Sequence, residues 1–502
     1  LQKLVRQILT ARVYEAAVET PLEEAAGLSR DLDNRVLLKR EDLQPIFSFK
    51  IRGAYNKIAH LGEDERKRGV IAASAGNHAQ GVAFSARKLG IRAVIVMPVT
   101  TPQIKVSAVA GFGAEVVLHG EGYSDAAEHA ARLAGESRMT VVHPFDDELV
   151  IAGQGTIGVE LLRQSGGHLD AVFVPVGGGG LIAGIGSYIK ALRPEIRVIG
   201  VEPSDSDAMA RSLEKGRRVR LDSVGIFADG VAVREVGKLT FDLCRQCVDE
   251  IVRVDVDELC SAIKANYLAT RAIVEPAGAL GLAGLKKYVR DKRVSGLTLA
   301  AIDSGANMNF ERLRYVAERT QIGEQQEALF AVTIPEKPGS LKRFCGKVLG
   351  ERNITEFNYR LSGRDEAHIF VGISIRDEAE RAAFARQLSR EGFDNVDLTD
   401  NDLAKTHIRH MVGGRSHEAG AEALYRFFFP ERPGALARFL ERMGESWNIS
   451  LFHYRMQGLD YGWVLIGLEI PPGDKSKFKA FLSGLGYRFV DESANPAYRL
   501  FL

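Results

Sequence analysis

The chain has 502 residues, 45 % apolar and 26 % charged, which is ordinary for globular protein and too long for a single compact core. Its 66 basic and 65 acidic residues leave a net charge of +1, so nothing electrostatic points to nucleic acid or an anionic membrane as partner. The sequence contains no apolar run long enough to span a membrane, and its 4 cysteines are too few for a disulfide framework, which fits a reducing cytoplasmic setting.

At the N-terminus, Leu1, Leu4, Val5, Ile8 and Leu9 fall on one face of a short helix, and no cleavable leader is expected. Strands are then expected at Val36–Lys39, Val70–Ser74, Ala93–Met97, Glu115–Leu118, Val141–His143, Ala171–Val176, Val198–Val201, Ile251–Val254 and Leu297–Ile302. Helical stretches separate most of them. Near-continuous apolar runs such as Ala171–Val176 read as buried parallel strands. The alternation predicts a doubly wound α/β fold, and so many strands predict two lobes with a cleft between them. Cys244 and Cys247 form a lone C-x-x-C with no partner motif, so a helix face is expected there and no metal. The polar stretch Gln321–Glu327 reads as a hinge closing a first domain over residues 1–320.

Beyond it the chain repeats itself. Pro335, Pro338, Gly339 and Leu341 recur as Pro430, Pro433, Gly434 and Leu436. At the same offset, Phe357, Tyr359, Arg360 and Gly372 recur as Phe452, Tyr454, Arg455 and Gly467, and the register slips by one between Gly392 and Gly486. Two copies of one unit follow, over residues 328–412 and 424–502. Each is expected as strand, helix, strand, strand, helix, strand, and Gly413–Gly420 joins them.

Four segments of the first domain carry chemistry. In Ser48-Phe49-Lys50-Ile51-Arg52-Gly53-Ala54, a buried lysine would lose its proton readily and attack a carbonyl, although most lysines are solvated. Ser74-Ala75-Gly76-Asn77-His78 lies where a strand opens into a helix, a place where free N–H groups bind carboxylate or phosphate; a simple Ser/Asn cap is the alternative. Gly177, Gly178, Gly179 and Gly180 follow a core strand and precede the apolar helix of Leu181, so their N–H groups can curl round a phosphate. This is not a Walker loop, but Glu202 stands at the spacing a dinucleotide site would use, so a dinucleotide remains open here. Asp303-Ser304-Gly305-Ala306-Asn307 is a further strand-to-helix junction.

In identity and order these four segments resemble the fold-type II pyridoxal-phosphate enzymes, and among them the threonine dehydratases (threonine deaminases). The resemblance covers nearly the whole chain from about Leu9, and the repeated units resemble tandem ACT-type regulatory domains. It implies a two-lobed α/β catalytic domain plus two α+β ferredoxin-like subdomains. It further implies pyridoxal 5'-phosphate as cofactor, with Lys50 as its Schiff-base lysine, Phe49 packing on the ring and Asn77 bonding the ring hydroxyl. Gly177 to Gly180 and Leu181 would hold the phosphate, and Ser304 would face the ring nitrogen. Ser74, Ala75, Gly76 and His78 would receive the substrate, L-threonine. Gly339, Leu341, Gly434 and Leu436 would line effector sites for isoleucine, which inhibits, and valine, which opposes it. A homotetramer is the expected assembly.

One position departs from the family. Asp303 precedes the serine where a small or apolar residue is expected. Neighbouring strand residues face opposite ways, so Asp303 should point away from the cofactor. Three rivals remain at this stage: a racemase or β-replacement enzyme of the same fold, a catalytically dead amino-acid sensor, and an RNA-binding module. The near-neutral charge and the missing aromatic RNA-binding signature weigh against the last.

Overall fold

The computed structural model describes residues 2–99, 101, 103–120, 122–225, 227–310, 312–323, 326–360, 365–401, 404, 422–430, 435–444, 446–455, 461–487 and 489–494. The chain forms two compact units, Leu1–Thr320 and Gln321–Leu502.

The first unit contains ten strands: β1 (Leu22–Glu24), β2 (Arg35–Arg40), β3 (Val70–Ala73), β4 (Ala93–Met97), β5 (Glu115–Leu118), β6 (Thr140–Val141), β7 (Ala171–Pro175), β8 (Arg197–Pro203), β9 (Glu250–Val254) and β10 (Thr298–Asp303). They form two sheets, one in the order β1-β2-β10-β7-β8-β9 and one in the order β5-β4-β3-β6. All pairings are parallel except β1 with β2. The two-lobed α/β expectation therefore holds. Every residue of β7 and of β4 is buried, as a strand covered on both faces by helices requires. The N-terminal helix Gln2–Leu9 buries Leu4 and Ile8, whereas Leu9 is exposed.

The second unit repeats one motif. Its first copy holds β11 (Glu327–Pro335), β12 (Ile354–Arg360), β13 (Glu366–Ser374) and β14 (Asn395–Asp397). Its second holds β15 (Glu422–Pro430), β16 (Asn448–Arg455), β17 (Tyr461–Glu469) and β18 (Phe489–Asp491). With a helix after the first and third strand of each copy, both have the expected βαββαβ order. Antiparallel pairing of β12 with β16 fuses them into one sheet, β14-β11-β13-β12-β16-β17-β15-β18. The repeat extends to buried polar chemistry. Thr355 donates to Glu327 in the first copy and Ser450 donates to Glu422 in the second. This explains the paired glycines. A Cβ on Gly467 would come 2.7 Å from Ser450 Oγ, and one on Gly372 would overlap Thr355 Oγ1. The one-residue slip falls at Gly392 and Gly486, which both adopt the left-handed conformation at φ 80° and 75°.

The expected hinge is shorter than its composition suggests. The helix Arg312–Gly323 runs into it and β11 starts at its last residue, Glu327. The joining stretch Gly413–Gly420 lies outside the described residues.

Candidate active site and effector cleft

The four chemistry-bearing segments meet at Lys50. Each is placed by a strand end: Ser74–Asn77 follows β3, the glycine run follows β7, and Ser304 follows β10, which pairs with β7. Ligands of open α/β sheets gather at such carboxyl ends. Lys50 opens the helix Lys50–Ala59. Its entry loop is tied to the β10 end by a bridge between Ser48 and Gly305, by Phe49 N donating to Ser304 O (3.2 Å) and by Ala306 N donating to Phe47 O (2.9 Å). Phe47 holds a left-handed φ of 55°, a costly conformation for a non-glycine residue and one often found beside active sites.

Lys50 Nζ donates to the Pro144 carbonyl at 2.9 Å and lies 5.3 Å from the Phe49 ring centroid. Among the described residues no carboxylate pairs with it. Loss of solvation therefore pushes its ammonium down from 10.5 to about 8. Its amine is thus partly neutral near physiological pH, which attack on an aldehyde requires.

The next residue, Phe145, shapes the glycine run. A Cβ on Gly178 would overlap the Phe145 ring, and one on Gly180 would come 3.0 Å from its backbone. Gly179 takes φ 95° and caps the helix Gly180–Leu192. Thr240 Oγ1 and Gly237 N donate to the Gly178 carbonyl at 2.6 and 3.4 Å, which fixes the glycine run against the helix that carries Thr240. The first N–H groups of a helix have no partner within it and suit a phosphate. Leu181 is buried just inside.

Ser74, Ala75, Gly76 and Asn77 are half-buried, so the turn after β3 stays accessible. His78 turns inward. It is buried, its Nε2 lies 2.8 Å from the Val142 carbonyl and its Nδ1 has no hydrogen-bond partner. Burial, and then the nearby Lys50 charge, drives its pKa to about 3, so it is a neutral ring. Ser304 is buried, and its hydroxyl lies 3.2 Å from the Ala277 carbonyl. Asp303 leads the other way: its carboxylate sits 3.9 Å from Arg40 Nε, across the β2 pairing. Burial raises its pKa to about 8. Glu202, the acid a dinucleotide would need, is buried and accepts from the N–H groups of Met209 and Ala210 at 2.9 and 2.8 Å. It is spent on the fold.

A half-buried lysine hydrogen-bonded to a carbonyl, a helix start framed by glycines and a buried serine at a neighbouring strand end form a donor set that suits pyridoxal phosphate. Residues 13–305 match the family model for pyridoxal-phosphate-dependent enzymes, and residues 318–408 and 413–502 match the C-terminal regulatory domain of threonine dehydratase. The chain is 59 % identical over 501 residues to the biosynthetic L-threonine dehydratase of Burkholderia multivorans, covering 99 % of each. It is 53 % identical to that of Escherichia coli, covering 99 % of this chain and 96 % of the relative. The chain belongs to the pyridoxal-phosphate-dependent threonine dehydratase family. Among solved structures, the processed form of threonine deaminase isoform 2 from Solanum lycopersicum superposes with a TM-score of 0.63 at 46 % identity, covering 64 % of this chain and 88 % of that one. Maize serine racemase gives a TM-score of 0.58 at 32 % identity over 63 % of this chain and 96 % of its own.

One feature of this dehydratase-family site was not evident from sequence, the segment His143–Asp147: His143 Nδ1 accepts from Phe145 N and Asp146 N (3.3 and 2.8 Å), and Asp146 accepts from the N–H groups of residues 238 to 240. A strand was expected over Val141–His143, but the observed strand ends at Val141 and leaves His143 free to organise this turn. Glu275, which the sequence alone does not place, is buried and bonded to Asn77, with burial raising its pKa to about 7.

In the regulatory unit, a shallow cleft is lined by Gly339 and Leu341 of the first copy together with Met443, Trp447 and Asn448 of the second. Leu436 is buried in the core of the unit rather than in this cleft, and Gly434 lies outside the described residues.

Proposed function

We infer that the chain converts L-threonine to 2-oxobutanoate and ammonium, and L-serine more slowly to pyruvate, as the first step of isoleucine synthesis. The position of Lys50, half-buried where the four motifs meet and hydrogen-bonded to the Pro144 carbonyl, carries the reading. The cofactor, when bound, supplies an electron-accepting ring that makes the substrate's α-carbon acidic. Lys50 Nζ removes the α-proton as general base. The N–H groups and hydroxyl of Ser74–Gly76 hold the substrate carboxylate. Asn77 and Ser304 would hold the ring, and Gly177–Leu181 would hold the phosphate. The β-hydroxyl leaves as water, and hydrolysis of the released enamine restores that water and frees ammonium, so threonine yields 2-oxobutanoate and ammonium with no oxidant.

Isoleucine and valine act on the second unit. In the cleft, Glu336 offers a carboxylate for an ammonium, Lys337 and Lys342 offer cations for a carboxylate, and Leu341, Met443 and Trp447 offer apolar surface for a branched side chain. Isoleucine stabilises a less active state and valine the opposite one. A cytoplasmic homotetramer is the expected assembly, checked by light scattering. The deciding experiment measures 2-oxobutanoate from threonine with and without isoleucine, in the full chain, in Lys50→Ala and in a chain ending at residue 320. Lys50→Ala should be inactive, and the shortened chain should be active but blind to isoleucine. Turnover in Lys50→Ala, or racemised threonine without 2-oxo acid, would refute the reading.

A further inference from the structure

Both ends of the Asn77 side-chain amide are held by protein. Its Nδ2 donates to Glu275 Oε1 at 2.5 Å, and its Oδ1 accepts from Asn307 Nδ2 at 2.7 Å. The same Asn307 amino group donates to the Ile46 carbonyl at 2.9 Å. Amide oxygen and nitrogen look alike, so their assignment must come from their partners. A backbone carbonyl can only accept, so the Asn307 atom beside Ile46 is the amino group. The Asn77 atom facing that amino group is then the oxygen. The Asn77 amino group is left facing Glu275, whose carboxylate accepts. The order Ile46, Asn307, Asn77, Glu275 therefore has one polarity, fixed from the Ile46 end, where the backbone carbonyl can only accept.

The surroundings are built for this chain of bonds. Glu275 precedes the helix Pro276–Lys292 but makes no side-chain cap bond to it; its carboxylate turns onto Asn77 instead. A Cβ on Gly305 would come 2.7 Å from Glu275 Oε1, so the glycine after Ser304 leaves room for that carboxylate. Ser304, Gly305 and Asn307 thus serve one site from a single short segment.

We propose that Asn307 and Glu275 are positioning residues that lock the Asn77 amide, so that its one unspent N–H always donates to the cofactor and favours the ionised form of the ring hydroxyl. The amide cannot flip to present its oxygen there, because a flip would set amino group against amino group at Asn307 and oxygen against carboxylate at Glu275. This rests on the placement of the cofactor ring against Asn77 given above.

The test uses full-length apoprotein variants titrated with pyridoxal phosphate, with two readouts: affinity, and the pH midpoint of the bound cofactor's visible absorbance. Asn77→Ala, Asn307→Asp and Glu275→Leu should each weaken binding about tenfold or more, the scale of a lost charge-assisted hydrogen bond, and raise the absorbance midpoint. Glu275→Gln keeps an accepting oxygen and should remain within about threefold of the parent. If Asn307→Asp or Glu275→Leu fails to fold by circular dichroism, Asn307→Ser, which shortens the donor without adding charge, decides in its place. An Asn77→Ala effect together with unchanged affinity and midpoint in the Asn307 and Glu275 variants would overturn the locking role. Unchanged values in Asn77→Ala itself would remove the placement of the ring, and the proposal with it.

Discussion

Arg52 lies two residues beyond Lys50 and is wholly buried. Its guanidinium donates to Glu41 from Nε and Nη2 (2.8 and 2.7 Å) and to Glu160 from Nη1 and Nη2 (2.5 and 2.9 Å). Lys39 Nζ also donates to Glu160, at 2.5 Å, with both side chains fully buried. Two cations and two carboxylates balance. Burial alone would raise the Glu160 pKa, but Arg52 and Lys39 outweigh it and hold the pKa below the usual range. Arg52→Met leaves this buried cluster with one uncompensated negative charge, a change that costs about 3–5 kcal/mol. A cooperative unit of this size has an unfolding entropy of roughly 0.7 kcal/mol per kelvin, so the melting temperature should fall by about 4–8 °C. Calorimetry of the apoprotein measures this. Packing loss alone could mimic the result, so the decisive comparison is Arg52→Met/Glu41→Gln. Neutralising Glu41 restores charge balance and leaves the Lys39–Glu160 pair intact, so the double variant should melt above Arg52→Met. A double variant that melts lower would show that side-chain volume, not charge, dominates at this position.

Gly178→Ala should weaken pyridoxal-phosphate binding about tenfold or more, because its Cβ meets the Phe145 ring, and Phe145→Ala in the same chain should restore part of the loss; cofactor titration reads both. Only the neutral amine of Lys50 attacks an aldehyde, so the rate of cofactor uptake by apoprotein should rise with pH and level off above about 8, and a plateau delayed towards 10.5 would mark a solvated lysine. Because this folded-state value lies below the unfolded one, the unfolded chain binds more protons between them, and apoprotein stability should rise with pH across that window. Trp447→Ala should raise the isoleucine concentration needed for half-inhibition about tenfold and leave uninhibited turnover unchanged, as an inhibition curve would show.

What could be read in the sequence was local. Eight of the nine expected strands are found within a residue or two of their expected ends, the buried ones because parallel core strands announce themselves as apolar runs; the ninth, expected at Val141–His143, is instead a two-residue strand at Thr140–Val141. The regulatory repeat was legible for a different reason: two copies comment on each other, and Gly372 with Gly467 marked a shared packing need before its cause was visible. What escaped was non-local. β1 is a short antiparallel edge strand, Leu-Glu-Glu, which reads as loop until β2 is placed beside it. Glu327 sits in a polar stretch and reads as linker, yet it is buried at the start of β11 because Thr355 meets it there. Lys39, Glu41, Arg52 and Glu160 look like surface charges one at a time and become a neutral core cluster only when the helices carrying Arg52 and Glu160 pack together.

Asp303 and Ser304 show how far local reasoning reaches when the rule is geometric. Composition alone would set an acid beside the ring nitrogen and suggest chemistry through a long-lived carbanion. Strand alternation separates the two side chains, and the pairing partner decides where the acid goes: Asp303 is in register with Arg40 of β2, and its carboxylate faces that arginine. Ser304 goes the other way, its hydroxyl against the carbonyl of Ala277 at the start of the preceding helix. A neutral hydroxyl is therefore what this strand end offers, and it does not hold a proton on the ring nitrogen as a carboxylate would. With the ring placed as proposed, such a hydroxyl would stabilise a carbanion less than a carboxylate would and so favour early departure of the β-hydroxyl. The acid at position 303 thus packs against Arg40 of the neighbouring strand, where burial raises its pKa, and does not share the side of β10 from which Ser304 leads.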